Sequence, residues 1–358
     1  MAMATKADWS ELPNELLHLI SKRIDSEIDL IRFRSICTNW RSSSISNHHR
    51  DMLTVNFPLL LSRLNNDSIN INRKFRRLYK HSCFLIKQTP GLRSWIVQIT
   101  QNSAGQTQFH HPLLRGRSTF PFVFNFSKIS VLHLATNFVI PYIKSRKVVA
   151  VMSHGKKPII VGSLYLLNCT VKEPVVLKCG DENWKFIPEM SVYLGDIRVF
   201  KGRPYVVDKT GQTVTVGQDD STVQLVAVSL VGGGDINFLV ESDDDLLLAD
   251  VYDHRFGDDH KHVKIDVFKL NRKEKKWVKL ANIGDRVFFL GLLCSFSASA
   301  SDLCVPKGNC VIIMDNIFTC VQCERSFLDL DDGRRLPLSD YPEYSDLFLP
   351  SQTEKLNW

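Results

Sequence analysis

Two hydrophobic periods divide the chain. Between Ser10 and Ser42, Leu12, Leu16, Ile20 and Ile24 recur every fourth residue with Leu17 beside them, which is the period of one apolar helix face. Pro13 stands where a first helical turn tolerates it, with Ser10 before it as N-cap. Asp25, Ser26 and Glu27 interrupt the pattern. Asp29 is then placed to cap a second helix carrying Leu30, Ile31, Phe33 and Ile36, and a third short helix holds Cys37 and Trp40 and ends near Asn47. Helices this short do not cover so many large apolar groups by themselves, because units below about 40 residues usually need a metal, a disulfide or a partner. The pattern therefore predicts a surface that is buried against another protein.

From Cys83 onward the helical period is gone, and short runs of β-branched and aromatic residues alternate with polar ones between turn signals, which predicts an all-β domain. The clearest block is Val192 to Val216. Ile197 and Val199, Tyr205 and Val207, then Val214 and Val216 alternate with polar neighbours. Lys201-Gly202-Arg203-Pro204 and Asp208-Lys209-Thr210-Gly211 separate them as turns. Three such strands make most of one propeller blade. The segment around Trp184 followed by Gly195-Asp196 has a counterpart around Trp277 followed by Gly284-Asp285, and the tryptophans lie 93 residues apart. That is close to two units of roughly 40–50 residues, so a domain of about 270 residues holds five to seven four-stranded blades. A β-sandwich array or two smaller barrels would give similar strand spacing.

Length and charge add a boundary. The chain of 358 residues suits a small N-terminal module plus one large domain. Residues 1–130 hold 18 Lys and Arg against 8 Asp and Glu, whereas the remainder holds 27 against 30. The basic excess peaks at Arg73, Lys74, Arg76, Arg77 and Lys80, in a polar connection read as a solvated linker face or a nuclear-import signal. No nucleic-acid-binding motif accompanies it. No apolar run reaches the roughly 18 residues of a membrane span, and MAMATKADWS has no signal core, so neither a membrane partner nor export is expected. Nine scattered cysteines fit free thiols in nucleus or cytoplasm.

Candidate chemistry is sparse. Cys304, Cys310, Cys320 and Cys323 are the best metal set, but the first two are not the close pair a zinc module supplies. His254, His260 and His262 with neighbouring aspartates read as a hairpin loop. Asp243-Asp244-Asp245 and Gly232-Gly233-Gly234 read as turns, with neither the ligand spacing of a calcium loop nor the Lys-Ser/Thr of a phosphate loop. With no nucleophile motif either, no catalytic residue, metal or cofactor is expected.

Leu12-Pro13-x-Glu15-Leu16, Asp29-Leu30 and Arg34-Ser35-Ile36-Cys37-x-x-Trp40-Arg41 resemble an F-box. Phe238-Leu239-Val240-Glu241-Ser242, Leu246-Leu247-Leu248, Asp266-Val267-Phe268-Lys269-Leu270, Gly284 to Gly291 and Lys307-Gly308-Asn309-Cys310 resemble, in order and spacing, the KIB-type β-propeller of a large plant F-box family. Val311 to Asn316 and the ending from Ser345 to Trp358 depart from that family's pattern. The resemblance implies a mainly β protein with a small N-terminal α module: an F-box over 8–50, a linker over 51–80, a propeller over 81–345 and a tail over 346–358. It further implies the substrate-recognition subunit of a Skp–cullin–F-box (SCF) ubiquitin ligase, itself without catalysis. Leu12, Pro13, Leu16, Ile20, Leu30, Ile36, Cys37 and Trp40 would contact a Skp-type adaptor and, through it, cullin, while the propeller holds a target protein for ubiquitination. A small-molecule-binding or enzymatic propeller and a non-degradative F-box regulator are the alternatives. A closed ring would require Cys83–Ile86 and Trp95–Val97 to pair with the closing pieces after Cys320: the alternating run to Leu330, the turn Asp331-Asp332-Gly333 and the apolar run Leu347-Phe348-Leu349.

Overall fold

The computed structural model describes residues 9–24, 27–44, 54–55, 76–88, 94–101, 107–112, 129–139, 145–151, 159–165, 172–178, 185–188, 190, 194–217, 222–230, 233–252, 263–291, 294–314 and 325–348. Three helices open the chain: α1 (Asn14–Arg23), α2 (Glu27–Ser35) and α3 (Thr38–Ser43). The caps differ from those the spacing suggests. Pro13 is itself the N-cap of α1, its carbonyl accepting from Leu16 and Leu17 N–H, because a proline there sacrifices no helical donor. Asp29 lies inside α2 and pairs with Arg32 at 3.0 Å, and Cys37 caps α3. Leu17, Ile28, Leu30 and Phe33 are buried. The Trp40 ring lies 4.5 Å from that of Phe33, and its Nε1 donates to Trp9 O.

A two-stranded ribbon, β1 (Thr54–Val55) with β2 (Arg76–Arg77), precedes the main domain. The domain begins with β3 (Tyr79–Gln88), β4 (Ser94–Gln101), β5 (Thr107–His110) and β6 (Ile129–Val139), in spatial order β6-β3-β4-β5. β7 (Ser145–Val151), β8 (Ile159–Tyr165), β9 (Lys172–Lys178) and β10 (Lys185–Phe186) follow as a meander, joined to the first group through the pairing of Phe138 with Val148. Two more meanders come next: β11 (Leu194–Phe200), β12 (Arg203–Asp208), β13 (Thr213–Val216) and β14 (Val223–Ala227), then β15 (Ile236–Ser242), β16 (Asp245–Tyr252), β17 (Lys264–Asn271) and β18 (Lys276–Lys279). The last sheet has β19 (Arg286–Leu290), β20 (Phe296–Ser299), β21 (Cys310–Ile313), β22 (Ser326–Asp329) and β23 (Arg335–Pro337) in order β20-β19-β21-β22-β23, with short helices α4 (Ala300–Leu303) and α5 (Pro342–Ser345). Because β20 and α4 intervene, β19 and β21 run parallel.

These strands form five blades. Their innermost strands β6, β7, β11, β15 and β20 touch in that cyclic order, β20 returning to β6. The alternation of strands such as β12, β16 and β19 explains the ring, because successive residues point to opposite faces and here both faces are dry. Val206 packs with Val149, Val161 and Val176 of the blade before, while its neighbours Tyr205 and Val207 pack with Leu239, Leu248 and Trp277 of the blade after. Likewise Phe288 joins the cluster of Phe238 and Val240, while Val287 and Phe289 join that of Cys83, Leu85 and Ile96. The sheets therefore stack around an axis, which neither a sandwich array nor paired barrels provides. The two related tryptophan segments fall on outermost strands: Lys185 and Phe186 make β10, and Trp277 lies in β18. They are two blades apart, as their spacing suggests.

Ring closure uses packing where a strand ladder was expected. Tyr344, Leu347 and Phe348 are buried in the cluster that joins the last blade to Cys83, Leu85 and Ile96 of the first, and Phe348 stands edge-on to Phe289 at 6.0 Å. Among the described residues a backbone bond from Ile96 N to Leu347 O at 2.7 Å spans the seam, with Lys87 paired to Asp302 at 2.6 Å. The propeller thus extends past Ser345 to Phe348, while Cys320 to Glu324 and residues 349–358 lie outside the described residues.

Truncating a fully buried phenylalanine removes its transfer energy and leaves a cavity, so Phe348→Ala should lower stability by about 3–5 kcal/mol. Chains ending before Tyr341 should aggregate through the opened seam. Urea unfolding and sedimentation check both, and a shortened chain that is soluble and melts cooperatively would contradict closure by this segment.

Candidate functional site

Two regions of the molecule carry features beyond folding. The first is the helical module. Pro13, Leu16, Leu19 and Ile20 stand exposed along α1, with Ile36 exposed after α2, the four large side chains at 46%, 54%, 41% and 55%. Leu12, Cys37 and Trp40 are half-buried. Leu30 is 4% exposed and lies inside the module, beneath the patch. Leu19 and Trp9, at 54% and 68%, belong to the exposed apolar surface although the every-fourth-residue reading passed over them. A helix face carries i, i+3 and i+4 together, and that wider stripe would have included Leu19. On its other side Ile28 packs with Phe84, Ile86, Trp95, Val97, Ile99 and Ile129 of the first blade.

The second region is the polar channel on the propeller axis, a cavity of about 730 Å³ walled by the five inner strands. Asp196 anchors it. The ladder slips between Leu194 and Asp196, at Gly195, where a Cβ would lie 2.8 Å from Asp208 O. The carboxylate beyond this bulge accepts from Lys147 Nζ at 2.9 Å, from Ile197 N and, across the blade interface, from Leu239 N. Two residues along the same strand face, Arg198 donates from Nη1 to Ser295 O and lies 3.4 Å from Glu241 through Nη2. Arg286 pairs with Asp243, and Ser297 Oγ donates to Glu241 O. Cys294 completes this wall. A hydrogen bond from Cys83, then the positive charges of Lys147 and Arg198, hold its thiol below the ordinary range.

Sequence reading named none of these channel residues as a site, although Asp196-Ile197-Arg198 carried a signal: two opposite charges on one face inside an apolar strand. The other candidates resolve more simply. Asp243 takes a left-handed conformation, φ 51°, in the β15–β16 hairpin turn, and Gly234 N–H donates to Asp250. Burial pushes the Cys310 thiol up to about 12, far from the thiolate that binds zinc, and Cys304 is exposed. Cys320, Cys323, His254, His260, His262 and Trp184 lie outside the described residues. So do Arg73 and Lys74, while Arg76 and Arg77 form β2. Among the described residues no group of three or more His, Cys, Asp or Glu is placed to hold a metal ion, and no helix is long and apolar enough to cross a membrane.

Comparison with known proteins gives two family matches: the F-box domain over residues 9–50 and the KIB1-4 beta-propeller over residues 64–337. Among curated proteins, the F-box protein SKIP23 of Arabidopsis thaliana is 29% identical over 392 residues, covering 96% of this chain and 94% of its own. F-box protein At2g17036 of the same plant is 29% identical over 385 residues, covering 96% and 93%.

Two expectations follow from the wall and the first blade. Removing Asp196 leaves Lys147 and two buried N–H groups without their acceptor, and breaking a buried ion pair typically destabilises by about 3–5 kcal/mol; Asp196→Ala should show this in urea unfolding. On the first blade, burial and then neighbouring His110 lower the His81 pKa to about 4, and burial also lowers those of His110 and His111. The unfolded chain takes up these protons near pH 6.5 while the folded chain resists until lower pH. Stability is therefore complete above about pH 6.5 and falls as pH drops toward 4, by up to about 1.4 kcal/mol per unit from His81. Melting temperatures across that window should fall in the wild type and less steeply in His81→Gln.

Proposed function

Because the chain belongs to the family of F-box proteins with a KIB1-4 beta-propeller, we propose that it is the substrate-recognition subunit of an SCF ubiquitin ligase. The observation that carries this reading is the apolar face of Leu16, Leu19, Ile20 and Ile36 with Pro13. Large apolar side chains grouped in one patch mark a protein interface. The module has a firm base for it, with Leu17, Leu30 and Phe33 buried beneath and Ile28 fixed to the first blade. A Skp-type adaptor covers the patch, contacts Leu12, Cys37 and Trp40, and brings cullin. The propeller presents a target protein.

This subunit acts without catalysis of its own. It raises the effective concentration of the target's lysines at the transferring subunits. Cys37, Cys83, Cys294, Cys304 and Cys310 are all free thiols, which suits a place of action in nucleus or cytoplasm. Target choice rests with the loops and the channel of the propeller, where a fold alone does not dictate specificity.

Leu16→Ala with Ile20→Ala removes two exposed anchors that lie outside the set of buried residues. Loss of about 2 kcal/mol, roughly thirtyfold in affinity, is expected for captured adaptor, with the circular dichroism of the propeller unchanged. Retention of the adaptor at wild-type affinity by the folded double variant would refute the docking face.

A further inference from the structure

The charges around the channel are unevenly buried: Glu241, Asp243 and Asp302 are exposed acids, and Arg286 is paired with Asp243. The buried charges are Lys147 and Arg198 against Asp196: the Lys147 and Asp196 side chains are both 5% exposed and that of Arg198 is 10%. Asp196 is already saturated by Lys147, Ile197 N and Leu239 N. Glu241, the other acid beside Arg198, is 41% exposed and reaches only Nη2, at 3.4 Å. Nη1 is fixed on Ser295 O, and the buried Nε has no acceptor among the described residues.

A buried cation without an equally buried counter-charge is unfavourable, and so is a buried N–H without an acceptor. Nε and Nη2 of an arginine form a planar fork that matches the two oxygens of a carboxylate or phosphate. Lys147 Nζ has three N–H donors, and Asp196 takes one direction of them. Both side chains border a cavity of about 730 Å³, within the usual size of small-molecule sites.

We propose that the axial channel is a binding site for a small oxyanion, a carboxylate or a phosphate, held on Arg198 with Lys147 beside it, the buried Nε joining Nη2 as a fork once Glu241 is displaced. Glu241 competes for the same fork and is displaced when the ligand enters. The site is separate from the adaptor face, so ligand and adaptor are measured independently.

Isothermal titration calorimetry of the full chain with citrate and, separately, with inorganic phosphate tests this. Saturable binding of at least one is expected, and which of them binds identifies the oxyanion. Glu241→Gln removes the competing charge and should tighten binding several-fold. Arg198→Gln should weaken it by about tenfold or more, the loss of a charge-assisted pair. Because Arg198 is buried, Glu241→Gln, at an exposed carboxylate, keeps the test decisive where Arg198→Gln fails to fold. If neither anion binds the folded wild type or the folded Glu241→Gln chain, or if folded Arg198→Gln binds as tightly as wild type, the proposal is overturned.

Discussion

Strands in the middle of the blades, such as β12, β16 and β19, bury both of their faces, and the rest of the structure depends on that requirement. Val206 and Val207, or Phe288 and Phe289, are neighbours in sequence that serve opposite interfaces. A blade removed from its neighbours would expose two apolar sides, so stability is shared around the circle. Whatever completes the circle is correspondingly critical. Here the task falls to Tyr344, Leu347 and Phe348, which lie between the last and first blades.

The same requirement decides what the sequence reveals. Alternation in Ile197 to Val216 and the two tryptophan segments disclosed the meanders and their repeat, because strand faces and tight turns impose local patterns. Lys201 and Gly202, at φ 47° and 75°, sit in the turn where the residue types placed it. The F-box helices were legible from the spacing of Leu12, Leu16 and Ile20, although Pro13 and Asp29 play different parts in their ends. What local patterns do not carry is contact between distant segments. Nothing near Asp196 announces Lys147 or Leu239 as its partners, and nothing near Phe348 announces Phe289. The seam was therefore anticipated as a ladder, and the residues of the channel were not anticipated as a site.

The helical module and the propeller are physically joined. Ile28 sits among Trp95, Val97, Ile99 and Ile129, so the exposed stripe on α1 has a fixed relation to the first blade. A receptor that must present a target to a distant catalytic subunit benefits from such rigidity, since a loose joint would dilute the orientation that the assembly provides. The acid-sensitive histidines His81, His110 and His111 lie on that same blade, which makes it both the mounting plate for the module and one side of the seam.

The position of the seam also sets an order of events during synthesis. The first blade leaves the ribosome with Cys83, Leu85 and Ile96 uncovered, and their partners Leu347 and Phe348 follow only after the four later blades. At roughly 5–20 residues per second the intervening stretch of roughly 250 residues takes on the order of ten seconds to a minute. For that time the nascent chain carries an apolar edge that lacks the cover of Tyr344, Leu347 and Phe348. The ring thus makes folding of the first blade wait on a segment made long after it.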